Sequence, residues 1–274
     1  MQDLPRRCAL AAPSPHQEAP AYCASMSVDP NHPVIAADAL SGLCSFANME
    51  LPTPLPAEPF ATFRAWLNEA HERKTQPNPN AMTLATVDPD GRPSARIVLC
   101  RRMDEASNYI VFYTNYDSRK ASGLEAHRYA SVVFHWDHLD RQVRMEGPVV
   151  RSPAAESDAY FARRPIMSRV AAWASSQSAP IASREALLAQ NAAAERRFGI
   201  LRTGEGDAGV TVPEGLVVPR PENWGGFRLW PERIELWLGH SARLHDRARW
   251  IRTVTVRGGD AVDVGPWTVT RLQP

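Results

Sequence analysis

At 274 residues with 44% apolar side chains, the chain can bury a sizeable core, as one large domain or two small ones. Its 31 basic and 30 acidic residues leave a formal charge of +1, which excludes a global field that attracts nucleic acid or an anionic membrane; any anion recognition has to be local, and a small phosphorylated ligand suits that better than a polymer. Cys8, Cys23, Cys44 and Cys100 lack CxxC spacing, no apolar run nears the ~18 residues that span a bilayer, and the start lacks a signal-peptide core, so neither a zinc site, a disulfide framework nor export is expected. A soluble protein of the reducing cytoplasm is the expectation.

Residues 1–56 carry repeated prolines and no sustained period of 2 or 3.6, which predicts a mobile arm, with Met26 and Met49 as alternative starts. The folded domain is expected over 57–274. Phe60, Phe63, Trp66, Leu67 and Ala70 fall at helical spacing behind Pro59, so an amphipathic helix opens it. Ala81–Val87 and Ser94–Cys100 flank Asp88-Pro-Asp-Gly91 and read as a hairpin. Further strands are expected at Tyr109–Thr114, Ala130–Trp136, Arg141–Val150, Arg233–Leu238, Ala242–Arg249 and Trp267–Leu272, with helices at Glu156–Arg163 and Ser183–Phe198. Gly204–Gly215 reads as a surface loop. Many antiparallel strands with a few helices predict a mostly β, α+β fold closed into a barrel, since closure removes exposed edges.

Several constellations can carry chemistry. Ser118 is a good N-cap, and Arg119 and Lys120 then occupy a first helical turn, where the helix dipole disfavours cations; either they are solvated, or an anion binds there on free N–H groups and both side chains. In a strand, Arg243, His245 and Arg247 share one face, a row that either faces water or lines an anionic site beside Leu236 and Trp237. Arg96 lies in an apolar strand on the face of Ser94, where a charge is costly unless paired; Arg101 has the opposite parity, so a bulge or strand end is needed for both to reach one ligand. Tyr160, Arg164 and Ser168 are four apart, but Pro165 ends that helix, so spacing alone does not bring them together. Gln142, Gln177 and Ser178 offer neutral groups suited to a heterocycle edge. His135 and His138 fall on opposite faces, and no metal site is expected.

Taken jointly, Arg96-Ile-Val-Leu, Phe112-Tyr-Thr-Asn115, Ser118-Arg-Lys120, Arg141-Gln142-Val, Tyr160-Phe-Ala-Arg-Arg164-Pro, Ala172-Trp-Ala-Ser-Ser-Gln177-Ser178, Trp224-Gly-Gly-Phe227 and Arg243-Leu-His-Asp-Arg247 closely resemble the pyridoxine/pyridoxamine 5'-phosphate oxidase family over residues 57–274. The resemblance implies an FMN-binding split barrel with flanking helices, acting as a homodimer that shares each flavin site between subunits. It implies FMN contacts at Arg96, Ile97, Val98, Leu99, Tyr113, Thr114, Arg119 and Lys120, and at Gln142, Gln177, Ser178, Trp237 and Arg247. It places the substrate phosphate at Tyr160, Arg164 and Ser168 and the pyridine ring at Arg243 and His245, which take the catalytic orienting role. Arg101 stands where the family usually has a substrate-contacting lysine, a planar guanidinium in place of an ammonium. The implied reaction is oxidation of a phosphorylated B6 vitamer by O2. The alternatives are a split-barrel oxidase of another heterocycle, such as a phenazine precursor, and a non-catalytic flavin or pyridoxal phosphate carrier.

Overall fold

The computed structural model describes residues 49–74, 76–203, 209–240, 243–258 and 261–274. Of the arm expected over 1–56, only 49–56 fall among them. Those residues are packed: Leu51 is buried in the main core, its N–H donates to Asp246 Oδ2 at 2.7 Å, and Arg271 Nη2 donates to the carbonyls of Leu51 and Pro52 at 2.9 and 3.1 Å. Prolines suppress periodicity, but they leave an extended segment free to dock.

Helix α1 (Phe60–Glu72) follows, with Glu58 accepting from the N–H groups of Phe60 and Ala61 at 2.8 and 3.1 Å and so taking the capping role that Pro59 cannot fill. Its buried stripe of Phe60, Phe63, Trp66 and Ala70 fits the 3.6-residue period. The hairpin forms as expected: β1 (Ala81–Val87) pairs with β2 (Pro93–Leu99) around a turn closed by Gly91 N–H to Asp88 O at 2.8 Å, with Gly91 at φ +83°. Then come β3 (Arg102–Asp104), β4 (Tyr109–Asn115), α2 (Arg119–His127), β5 (Tyr129–Trp136) and the long β6 (Arg141–Arg151). Helices α3 (Ala154–Ala162), α4 (Ile166–Ala174) and α5 (Arg184–Arg197) form a separate apolar cluster with Trp224. Of the segment expected as a surface loop, 204–208 lie outside the described residues; β8 (Val210–Thr211) pairs with β7 (Leu201–Arg202) in a short ribbon.

The C-terminal part holds β9 (Trp224–Leu229), β10 (Arg233–Leu238), β11 (Asp246–Ile251), β12 (Val254–Gly258), β13 (Ala261–Val264) and β14 (Thr268–Leu272). One ten-stranded sheet runs β14-β11-β10-β6-β5-β1-β2, and β9 joins the far end of β6 to β4 and thence to β3. All its pairings are antiparallel, and the sheet curls into a split barrel. Its interior is filled from α1, with Phe63 against Phe134 at 4.9 Å and Trp136 at 6.4 Å between ring centroids.

One expected strand is shorter than its pattern suggested. β10 ends at Leu238, where Gly239 N–H turns away to Asp140 O at 2.7 Å, and among the described residues β11 has no pairing partner before Asp246; Ala242, where the strand is expected to begin, lies outside them. Arg243 has φ +61° and Leu244 is 71% exposed. The shared-face argument therefore fails for Arg243 and His245 and holds only from Asp246 onward.

Arg141 opens β6 with a side chain 1% exposed, 2.5 Å from Glu69 Oε2 and 5.1 Å above the Trp66 ring. Glu69 also pairs with Arg73 at 2.8 Å, so truncating Arg141 removes chiefly its own charge-assisted hydrogen bond and ring contact. Arg141→Leu should cost about 2 kcal/mol, read as a lower urea midpoint at unchanged slope.

Candidate active site

The strand end that the parity of Arg101 calls for is present, but it brings Arg101 to the cavity without Arg96. β2 stops at Leu99, Cys100 N–H bonds back to Asn80 O, and Arg101 N–H reaches Val111 O of β4 at 2.8 Å. This step carries Arg101 to the mouth of a cavity of about 460 Å³, a size suited to a small ligand. Ile97, Val98 and Leu99 form one wall and Tyr113 and Thr114 another, while Tyr160, Arg164 and Ser168 close it from the helical side, with Lys120 and Gln177 at one end. Thus the three residues that Pro165 separates in sequence meet in space, because α3 and α4 fold back around one cavity.

The side chains here are polarised in a particular way. Lys120 Nζ donates to Thr114 Oγ1 and Ser118 Oγ at 3.1 Å each and to Gln177 Oε1 at 2.6 Å, all neutral acceptors. Burial, with Arg96 nearby, pulls its pKa down to about 8. Arg164 Nη1 is buried without a partner, and burial, then Arg101, lowers its pKa as well. Tyr113, Tyr160 and Trp224 stand nearly parallel, Tyr113 to Tyr160 at 3.9 Å and 7° and Tyr113 to Trp224 at 5.5 Å and 7°. Burial raises the Tyr113 phenol, which stays protonated at neutral pH. Half-buried cations without counter-ions beside a flat aromatic wall suit a planar, phosphorylated heterocycle.

Other predicted residues lie elsewhere. Arg96 donates to Leu84 O, Thr86 Oγ1 and Ser94 Oγ at 3.2, 2.8 and 2.7 Å, on the Ser94 face as its parity requires, and Arg119 binds the buried Asp88 carboxylate at 2.5 Å. Neither lines the cavity, although Arg96 acts electrostatically on Lys120 at its basic end. Ser118 is no side-chain cap: its hydroxyl donates to Asn115 O at 2.7 Å and accepts from Lys120. Ser178 is exposed at φ +74°. Gln142, Trp237 and Arg247 align across β6, β10 and β11 on the sheet's outer face, where Arg247 pairs with Glu235 at 2.9 Å. His245 rests against Trp237 at 4.6 Å and its Nδ1 accepts from His240 N–H at 3.2 Å; burial, with His240 and Arg243, lowers its pKa. In one copy of the chain, then, the site residues form two separate groups. Among the described residues no cluster of three or more His, Cys, Asp or Glu side chains is placed to hold a metal, and no helix is long and apolar enough to cross a membrane.

Residues 67–197 match the family model described as pyridoxamine 5'-phosphate oxidase, and 224–274 match that of the pyridoxine 5'-phosphate oxidase C-terminal dimerisation region. The pyridoxine/pyridoxamine 5'-phosphate oxidase of Burkholderia multivorans is 48% identical over 217 residues, covering 79% of this chain and 89% of that protein. The chain belongs to the pyridoxine/pyridoxamine 5'-phosphate oxidase family. The Paraburkholderia xenovorans oxidase is 47% identical over 216 residues. Among solved structures, PhzG from Burkholderia lata, in complex with tetrahydrophenazine-1-carboxylic acid, is 30% identical with a TM-score of 0.65, over 80% of this chain and 94% of that one. A pyridoxamine 5'-phosphate oxidase-related, FMN-binding protein from Nostoc punctiforme shares the fold, with a TM-score of 0.55 at 18% identity over 79% of this chain and 98% of its own. This family member is a flavin oxidase with FMN as cofactor, and the cationic, aromatic-walled cavity fits that group.

Sequence reasoning missed Trp224, Asn115, Ala171, Ala172 and Ser175 as cavity residues. All but Ala171 sit inside the segments quoted for the family resemblance, which was the available signal. Gly226 lies behind the aromatic wall, where a Cβ would come within 2.6 Å of Ser152 Oγ and 2.9 Å of the Tyr113 ring. Gly226→Ala should lower the oxidase's melting temperature by about 5 °C and reduce the FMN it retains, measured by thermal scan and by flavin absorbance after gel filtration.

Proposed function

We propose that this oxidase converts pyridoxine 5'-phosphate or pyridoxamine 5'-phosphate to pyridoxal 5'-phosphate, with O2 as acceptor and H2O2 as product. The observation that carries the reading is the Arg164 guanidinium, half-buried with an unpartnered nitrogen beside Arg101, Ser168 and Tyr160 in one cavity. A phosphate dianion satisfies those donors, and the relatives named for this reaction support the substrate class. Bound FMN supplies a two-electron acceptor that O2 regenerates. The protein's part is positioning: the phosphate clamp anchors one end of the substrate, the aromatic wall keeps it flat, and Lys120 with Thr114 and Gln177 holds the flavin phosphate.

The second group of residues is explained by a homodimer. Gln142, Trp237, Arg243, His245 and Arg247 stand apart from the cavity, and all but Gln142 lie within the matched dimerisation region. In this reading each cavity receives that group from a second copy, with Arg243 and His245 orienting the pyridine ring. A second substrate class is favoured by one finding, the likeness to PhzG with its bound phenazine carboxylate. A carboxylate carries less charge than a phosphate, so the doubled guanidinium clamp favours the vitamer.

The purified yellow protein, given pyridoxine 5'-phosphate in air, should form aldehyde and peroxide in equal amounts. Inertness toward it, with turnover of a reduced phenazine carboxylate, overturns the assignment. Arg164→Met should raise KM for the phosphorylated substrate at least about tenfold while bound FMN stays constant, because a charge-assisted hydrogen bond of about 1.5–3 kcal/mol is lost.

Lys120 gives a pH signature. Its folded pKa of about 8 lies below the ordinary 10.5, so the ammonium that would hold a phosphate is present below that pH and lost above it. FMN affinity of the flavin-free protein should therefore fall as pH rises from 8 to 9.5, with bound phosphate shifting the midpoint upward. In Lys120→Arg this slope should vanish, as measured by flavin fluorescence titration.

A further inference from the structure

Arg164 is held unusually. It lies in the link between α3 and α4, beside Pro165, which breaks the helix at ψ 141°. Among the described residues its side chain has no carboxylate partner and no hydrogen bond; what touches it is aromatic, with Cζ 4.6 Å from the Trp224 ring centroid and 5.5 Å from that of Phe161. A guanidinium laid on a ring face keeps its in-plane N–H groups free to donate sideways.

Trp224 is suited to be that plate, because its own backbone is anchored. Its N–H donates to Pro221 O at 3.1 Å, its carbonyl accepts from Arg220 Nη1 at 2.6 Å, and Arg220 is tied to Asp158 at 2.7 Å. The residue opens β9 opposite Asn115 and is 8% exposed. Its ring runs within 5° of Tyr160 at 6.2 Å and takes the edge of Phe161 at 5.0 Å. Arg164 is therefore referenced to this indole directly, while Tyr160 stacks on Tyr113 at 3.9 Å, whose ring lies parallel to Trp224 at 5.5 Å.

We propose that Trp224 is a positioning residue for the substrate's phosphate, fixing the Arg164 guanidinium against a rigid plane beside the cavity. This rests on the phosphate-clamp reading of the preceding section. It goes beyond that reading by making the affinity for phosphate depend on a side chain that forms no hydrogen bond with it.

The test compares pyridoxal 5'-phosphate with pyridoxal, titrated calorimetrically into the FMN-loaded full chain, so that the affinity ratio isolates the phosphate. The ratio of pyridoxal 5'-phosphate to pyridoxal affinity should fall about tenfold in Trp224→Leu and about threefold in Trp224→Phe, in keeping with the order of ring faces in cation binding, beyond whatever loss the shared ring contact with the cavity wall brings to both ligands. A wild-type ratio in the leucine variant, or equal weakening of both ligands, overturns the proposal. If the leucine variant does not fold, the phenylalanine variant decides alone, and an unchanged ratio there overturns it. A wild-type chain that binds both ligands equally removes the phosphate clamp itself, an outcome distinct from either variant result.

Discussion

The 11 residues of β6 hydrogen-bond to β5 and β10 along their first part and to β9 at their end, so a single strand carries the curl that turns the sheet into a half-closed barrel. That hand-over requires another segment to cross β6 closely. Glu232 N–H reaches Glu146 O and Trp230 N–H reaches Pro148 O, both at 2.9 Å, with Gly147 between them. A Cβ on Gly147 would lie 2.1 Å from the Trp230 carbonyl oxygen, so the backbone contact excludes any side chain there. Because β9 runs directly into this crossing, the crossing also fixes the far end of the strand that Trp224 opens, and the helical side of the cavity packs against Trp224.

The cavity inherits its rigidity from that arrangement. Its flat wall comes from three elements distant in sequence, β4, α3 and β9, whose rings lie nearly parallel. Sheet register fixes two of them, since Tyr113 faces Gly226 and Asn115 faces Trp224 across β4 and β9. The glycines allow the aromatic side chains of neighbouring positions to lie over the strand, which larger residues at 225 and 226 would obstruct through Tyr116, Ser152 and Tyr113.

The same glycines explain part of what the sequence conceals. Helix α1, the β1–β2 hairpin and strands β5 and β6 are legible because each buries one face and shows its period. Strand β9 is not, since Trp224-Gly-Gly-Phe227 has no alternation to read. Arg243 and His245 were misread as strand because alternating residue types mimic a face where no pairing partner exists. Tyr160, Arg164 and Ser168 were legible as chemistry but not as a constellation: Pro165 breaks the helix that spacing relies on, and only the return of α4 brings Ser168 to the cavity that Tyr160 and Arg164 line. Joint motif resemblance found them because it records the outcome of tertiary packing rather than any local rule.

Charge distribution supplies the remaining step. With a formal charge of +1 the chain offers no overall attraction to anions, so selectivity must come from where positive charge is left uncompensated. Arg119 is neutralised by Asp88, while Arg144 and Arg247 share the buried Glu235. Arg101, Lys120 and Arg164 instead face one cavity without a carboxylate partner among the described residues. The partial burial of Lys120 and Arg164 is tolerable because neutral oxygens and aromatic faces take up part of the cost, and an anion that enters would relieve the rest. Holding these cations apart from acidic side chains is therefore what would let a nearly neutral protein receive the phosphorylated ligand of the proposed function in this cavity.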